Sequence, residues 1–388
     1  MAKSQKRAAV IAALIAVAAG VALAAYFMLT TEAPAPPAQP TPARELPLPP
    51  GSSKIAIKDV EIGIAYSPDK QRWLQWAARQ FSTTPEGKDI RVNLLAMDGA
   101  AAALALAAQD QRLHVWAPAN TLQAQPVIRR WNEQRRTILV HEQQPLVYSP
   151  LAVVMWNERY DALAKAFGAA DLNAIDRALQ TSGWGECGGL PEWGLFKFAM
   201  PGKSSSDINN LCRAVVAYQA VDECERLTTE LAGAPEIAAR LQRAAAVAQN
   251  STTLLRNMAM KGPEAYDAVI VDEKAAIDLL RGGGSRRGML RAFYPGLNLW
   301  NDHPYYVLNV SWSRDKHRAA AAAFMEFLLS GIAQREAVNH GFRPAGLNVP
   351  IHYEGSPFVA LSSQGIRADL PARCAPPAPE VMAALAGH

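Results

Sequence analysis

From Lys54 onward the chain repeats one local pattern: a short apolar strand, a turn of small or polar residues, then an amphipathic helix. That alternation confines it to an α/β fold on a largely parallel sheet. The first unit is the clearest. Val60–Tyr66 alternates as a strand, Ser67 suits an N-cap, Pro68 the first helical position, and Asp69 the positive end of the helix dipole. Trp73, Trp76, Ala77 and Phe81 then recur at helical spacing, which predicts a core stripe packed on the sheet.

The same unit recurs with Ile90–Ala96 as strand, Asp98-Gly99 as cap and turn, and an alanine-rich helix over 100–108. Residues 114–118 read as a strand end, with Asn120 as cap. In such sheets ligands bind beyond the carboxyl ends of the strands, where helix N-termini offer free N–H groups. Four loops are thereby nominated: Ser67-Pro68, Asp98-Gly99, Ala117 to Asn120, and Ser149-Pro150 ahead of a strand at 151–156. Further on, the pattern predicts helices over 160–167 and 171–179, a strand over 196–200 and a helix over 208–220. A strand over 265–271 leads into Asp272-Glu273 at a helix start, a long strand covers 303–312, and a helix follows over 316–329. Residues 371–379 have the composition of a poorly ordered tail.

Half of the 388 residues are hydrophobic (50%) and 19% are charged. That balance suits a chain able to bury a large core, excluding a disordered or collagen-like one. Its length exceeds one ordinary domain of ~100–200 residues, which predicts two compact units with appendages. The net charge is +4, from 39 Lys and Arg against 35 Asp and Glu. Lys3, Lys6 and Arg7 supply three of those charges, so no nucleic-acid-binding stripe is indicated.

The N-terminal segment sets the compartment. Residues 8–29 form an unbroken apolar run of ~33 Å as a helix, long enough to cross a bilayer once. Positive charges sit only before it, so the positive-inside rule places the rest of the chain outside the cytoplasm. A cleavable signal ending near Ala22-Leu23-Ala24 is the alternative, and it exports the same globular part. Residues 31–50 carry eight prolines in twenty positions, the composition of an extended stalk.

Cys187, Cys212, Cys224 and Cys374 lack CxxC or Cys/His spacing, so neither a zinc site nor a thiol redox motif is expected. Outside the cytoplasm disulfides are open to them, and the stretch holding the first three is where a bridge is expected first. Gly202-Lys203-Ser204 imitates the end of a P-loop, but the motif needs a glycine where Lys197 stands. The basic loop from Gly282 to Gly288 lacks GxGxxG spacing, and no HExxH or GxSxG motif is present. No catalytic residue, metal or cofactor is expected.

Several blocks together resemble a known family. They are Phe293-Tyr294-Pro295 through Trp300-Asn301-Asp302-His303-Pro304-Tyr305, then Trp312, Phe324, Phe327-Leu328-Leu329-Ser330, Gln334 and Gly341-Phe342-Arg343-Pro344. Tyr66-Ser67-Pro68-Asp69-Lys70, Ser149-Pro150-Leu151, Met155-Trp156 and Val271-Asp272-Glu273-Lys274 support them. In order and spacing the chain resembles extracellular solute-binding proteins of the type II periplasmic-binding fold, in the molybdate-binding-like branch of ABC-transporter substrate-binding proteins. The resemblance implies an α/β, two-lobed fold with a ligand cleft between the lobes, here preceded by one N-terminal transmembrane helix. Mapped on this chain, 1–30 is the anchor or signal, 31–52 the linker, 55–149 with 303–345 lobe 1, 150–302 lobe 2, and 346–388 a C-terminal extension. Crossings are expected near 146–156 and 304–312 only.

Carried over by position, Ser67 matches a ligand-bonding serine of the first strand, and Ser204 to Ser206 a polar loop of the second lobe. The family's second ligand serine falls near Gly99, where this chain has Asp98, and an aromatic hydroxyl of molybdate binders falls on Asp272. A carboxylate beside a bound dianion is costly in a closed cleft, so a neutral polyol, a cationic amine or a peptide-like ligand is favoured over an oxyanion. The candidate ligand residues are Ser67, Asp98, Ala117, Asn120, Ser149, Ser204, Ser205, Asp272 and Tyr294. The expected role is capture of a small-molecule ligand for an ABC-type permease, by a protein held in the cytoplasmic membrane through residues 8–29. A transport-independent sensor or scaffold is the alternative, and an enzyme on this scaffold stands behind both.

Overall fold

The computed structural model describes residues 58–202, 208–346, 348–370 and 373–387. The apolar run at 8–29, the proline-rich stretch, Ser204 and Ser205 lie outside the described residues. Among those described, no helix is long and apolar enough to cross a membrane.

Two sheets organise the chain. The first runs β2 (Ile90–Ala96), β1 (Val60–Tyr66), β3 (Val115–Ala117), β11 (Pro304–Leu308), β4 (Val140–Pro145). β1, β2 and β3 are parallel, while β11 lies antiparallel to both its neighbours. The second runs β10 (Trp300–Asn301), β5 (Val147–Trp156), β8 (Ala268–Asp272), β6 (Phe198–Pro201), β7 (Ala245–Val247). β9 (Leu290–Phe293) and β12 (Arg343–Pro344) also pair with β5. We call the two sheets with their helices the first and second halves.

Each sheet is covered on both faces, because its strands carry apolar side chains to both sides. On the first sheet, Trp73, Leu74, Ala77 and Phe81 of the Gln71–Phe81 helix pack with Phe324 and Leu328 of the Asp315–Leu329 helix. Ala102, Leu106, Ala124 and Trp131 cover the other face. The second sheet is buried between the Asn209–Val221 and Asn157–Phe167 helices on one side and the Ser251–Lys261 and Glu273–Arg281 helices on the other.

The halves are joined where β4 turns into β5 through Leu146, and where β10 leads into β11 through Asp302 and His303. These links are adjacent, the Leu146 N–H donating to the His303 carbonyl at 3.1 Å. A third passage was not expected. After the Gly331–Asn339 helix the chain enters β12, which pairs with the start of β5.

Three expectations are corrected. The strand predicted over 303–312 is only Pro304–Leu308, because its pairing with β4 shifts register after Val307 and the following residues turn into the next helix. The tail is not loose: from residue 373 it packs on the second half. The Cys374 N–H donates to the Asn298 carbonyl at 2.8 Å and the Tyr218 hydroxyl to the Ala375 carbonyl at 2.9 Å. The Pro379–Ala386 helix then lies against Thr229–Ala232 and Asn209–Val221, burying Val381 and Leu385. Upstream, Gly365 adopts φ +88°, and a Cβ there would come within 1.9 Å of the Ala292 carbonyl oxygen, so the extension presses directly on β9. Finally, the bridge is Cys224–Cys374, not one among the first three cysteines, and Cys187 and Cys212 are free and buried.

Candidate functional site

The turn after β1 does not do what its sequence suggested. Ser67 is extended (φ −66°, ψ 134°) ahead of a 3-10 turn at Pro68–Lys70, but its hydroxyl makes no capping bond. Instead it accepts from the Lys70 ammonium. Lys70 is 0% exposed, and its amine also donates to the Pro118 carbonyl and to His303 Nδ1, each at 3.1 Å, with Asp69 Oδ1 at 3.7 Å. An ammonium has only donors, so Nδ1 must be the imidazole's acceptor and Nε2 carries the hydrogen. Burial, then the Lys70 charge, pushes the His303 pKa down to about 3, consistent with that neutral tautomer. Burial alone would raise the Asp69 carboxyl, but Lys70 and then His303 outweigh it and hold its pKa below the usual carboxylate range.

Around this cluster stand other strand ends. The Ser67 N–H donates to the Ala117 carbonyl at 3.1 Å. Asn120 caps the Thr121–Arg135 helix through the Gln123 N–H (2.9 Å), and its amide donates to Asn301 Oδ1 at 3.1 Å. Asp302 accepts from the Thr121 N–H at 2.8 Å. A cavity of about 400 Å³ opens here, lined by Asn120, Thr121, Leu211, Trp300, Asp302 and Arg373 among others.

In the second half one helix N-terminus gathers two of the candidates. Asp272 caps the Glu273–Arg281 helix by accepting from the Ala275 N–H at 2.9 Å, and the Ser149 hydroxyl accepts from the Lys274 N–H at 3.1 Å. Asp272 is buried, and its pKa is raised, first by burial and then by the charge of Asp69. The charge of Asp69, in the first half, is thus felt at Asp272 in the second. Burial and then the Asp272 charge likewise raise the Cys212 thiol, far from a reactive thiolate.

The remaining candidates are placed elsewhere. Asp98 is exposed and caps the Gly99–Ala107 helix through the Ala101 N–H at 2.8 Å. Tyr294 gives its hydroxyl to Glu273, which Arg343 grips with two bonds, Nε to Oε2 at 2.8 Å and Nη2 to Oε1 at 2.7 Å. That network anchors β12 to the second half. Asp69, Lys70 and His303 were not singled out as site residues. Their blocks are visible in the sequence, but nothing local signals that a lysine in a helical first turn will point inward to a histidine 233 positions away. Among the described residues no three His, Cys, Asp or Glu side chains are placed to hold a metal ion.

Residues 62–343 match the model of the family described as bacterial extracellular solute-binding protein. Among solved structures, the chain is similar to the ferric binding protein from Campylobacter jejuni, with a TM-score of 0.55, 10% identity, and coverage of 84% of this chain and 96% of that one. Iron-bound HitA from Pseudomonas aeruginosa gives 0.53 at 13% identity, covering 78% and 92%. The sulfate-binding protein SubI from Mycobacterium tuberculosis gives 0.52 at 15%, covering 80% and 93%. No curated protein matches the sequence.

Proposed function

The chain belongs to the bacterial extracellular solute-binding protein family, and from that premise we propose that it captures a small polar ligand where the strand-end turns of its two halves meet. The observation that carries this reading is the cluster at the end of β1, where the buried Lys70 is held by the Ser67 hydroxyl, the Pro118 carbonyl and His303. Beside Asp69, two buried atoms, its own Oδ1 and His303 Nε2, have no hydrogen-bond partner among the described residues. A ligand that donates to the carboxylate and accepts from the imidazole N–H would complete both. Ser67, Ala117, Asn120 and Ser149 frame the same place, with Ser204 and Ser205 added by sequence. The fold likeness to a sulfate-binding protein brings no ligand with it. A carboxylate at the strand ends of each half, Asp69 and Asp272, argues instead for a neutral polyol, a cationic amine or a peptide-like molecule. We assign delivery to an ABC-type permease, with the globular part outside the cytoplasmic membrane and tethered through residues 8–29.

A thermal-shift screen of the full chain against oxyanions, sugars, amino acids and polyamines identifies the class, since a ligand of the folded state raises its melting temperature. Calorimetric titration of Asp272→Asn then separates the alternatives. A cationic ligand loses ~2–5 kcal/mol of binding, a neutral one changes little, and an anion improves. Unaltered affinity in Asp69→Asn, Ser67→Ala and Asp272→Asn alike removes this place as the site.

A further inference from the structure

The ligand turns lie at the start of β11; a different chemistry collects at its other end. Past Leu308 the chain runs through Asn309 to Arg314 into the Asp315–Leu329 helix, opposite the C-terminal end of the Thr121–Arg135 helix. Between them lies a cavity of about 860 Å³, lined by Trp131, Arg135, Trp312, Ser313, Arg314 and Arg318 among others. Two of its lining residues, Ser313 (2% exposed) and Trp131 (8% exposed), each carry, just behind the wall, a buried polar atom, Oγ and Nε1, that lacks a hydrogen-bond partner among the described residues. The Arg135 guanidinium lies over the Trp131 ring, 4.5 Å from its centroid, and Arg314 is exposed at the rim. The carboxylate of Asp315, which also lines the cavity, is already engaged by Arg318.

We propose that this cavity is a second binding site, separate from the ligand turns, and that it takes a phosphate group carried on a larger molecule. The orphaned indole N–H can only donate, the hydroxyl can donate, and Arg135 and Arg314 add donors of fixed positive charge. Gln109, which also lines the cavity, accepts from both terminal nitrogens of Arg135 once its amide is turned to do so, leaving the charge and the remaining N–H groups of Arg135 for a further acceptor. A phosphate presents oxygens in all directions and so meets donors from both walls, forming charge-assisted bonds. The cavity is far larger than an inorganic ion, so the phosphate belongs to a phosphate ester or to a lipid headgroup.

The test titrates full-length protein in neutral detergent with glycerol 3-phosphate and with a short-chain phosphatidic acid below its micelle concentration, followed by phosphorus NMR. Stronger binding of glycerol 3-phosphate identifies a free ester and stronger binding of the lipid a headgroup; either supports the site. The variant Arg135→Gln with Arg314→Gln alters exposed side chains, and its melting curve reports that it folds. It should weaken binding at least about tenfold. Ser313→Ala should weaken it severalfold, while Asp272→Asn leaves it unchanged. The proposal is overturned if neither probe binds, if the double arginine variant binds as wild type does, or if Asp272→Asn abolishes binding and so moves it to the other site.

Discussion

Each half sets a carboxylate beside a buried cation near the ends of its strands, and the two are completed to different degrees. In the second half, Glu273 is bonded by Arg343 through both oxygens and by the Tyr294 hydroxyl, while Arg343 also donates to the Arg367 and Ala368 carbonyls. In the first, Lys70 is shared among Ser67, Pro118 and His303 and stands only at ion-pair distance, 3.7 Å, from Asp69 Oδ1, so that Asp69 Oδ1 and His303 Nε2 lack a hydrogen-bond partner among the described residues. A saturated network fixes geometry, and here it fastens the third chain passage. An unsaturated one carries a standing cost that a further molecule can relieve. The contrast separates a clamp from a receiving surface by hydrogen-bond completeness, although both set a carboxylate beside a buried cation.

The comparison can be broken most directly at the clamp. Glu273→Gln leaves Arg343 charged and buried without its partner and should destabilise the protein by ~3–5 kcal/mol in urea unfolding. Lys70→Met should cost less, ~1–3 kcal/mol. Equal losses would mean that the two clusters are equivalent.

A pH series sharpens it next. His303 in the first half has its pKa depressed from 6.5 to about 3, so the unfolded state binds the extra proton between those values. Stability from this group is present above 6.5 and is lost as pH falls toward about 3. Asp267, buried beside Arg159 in the second half, is pushed by burial from 3.8 up to about 6. Its contribution has the opposite sign, present below 3.8 and lost as pH rises through about 6. The larger displacement belongs to His303, so these two groups together should make wild-type stability climb by about 1–2 kcal/mol across this window. His303→Asn should flatten or reverse the climb in unfolding midpoints measured from about pH 4 to 7. An unchanged slope would show that His303 is not held neutral.

The smallest effect belongs to Ser67→Ala, which removes one acceptor from Lys70 and should lower stability by ~0.5–1.5 kcal/mol in thermal melts. A larger loss would place Ser67 in a saturated network after all.

Much of this arrangement is legible from local pattern. β1 is the predicted strand, and Trp73, Ala77 and Phe81 are buried as their helical spacing required. Asn120 and Asp272 cap the helices they precede. Where the reading failed, the determinant was distant in sequence. Ser67 looked like a cap because Pro68 follows it, but Lys70 turns inward only once Pro118 and His303 are delivered by other strands. The tail looked loose because its prolines exclude regular structure, yet Cys224 and the surface of the Asn209–Val221 helix were waiting for it. The contact of Ser149 with the Lys274 N–H was likewise invisible locally, since it is set by β5 pairing with β8.

The Cys224–Cys374 bridge joins positions 150 residues apart. The chain between them includes not only β7 to β10 of the second half but also β11 and the two helices that follow it, which complete the first. Part of one half is thus an excursion out of a covalent ring whose ends are tied on the other. Under mechanical load the consequence is plain: a force drawn between the two ends of the chain passes through the sulfur–sulfur bond and bypasses everything inside the ring. Extension would stop short by roughly 500 Å of contour, the reach of the enclosed chain at ~3.3–3.6 Å per residue, until a reductant released it.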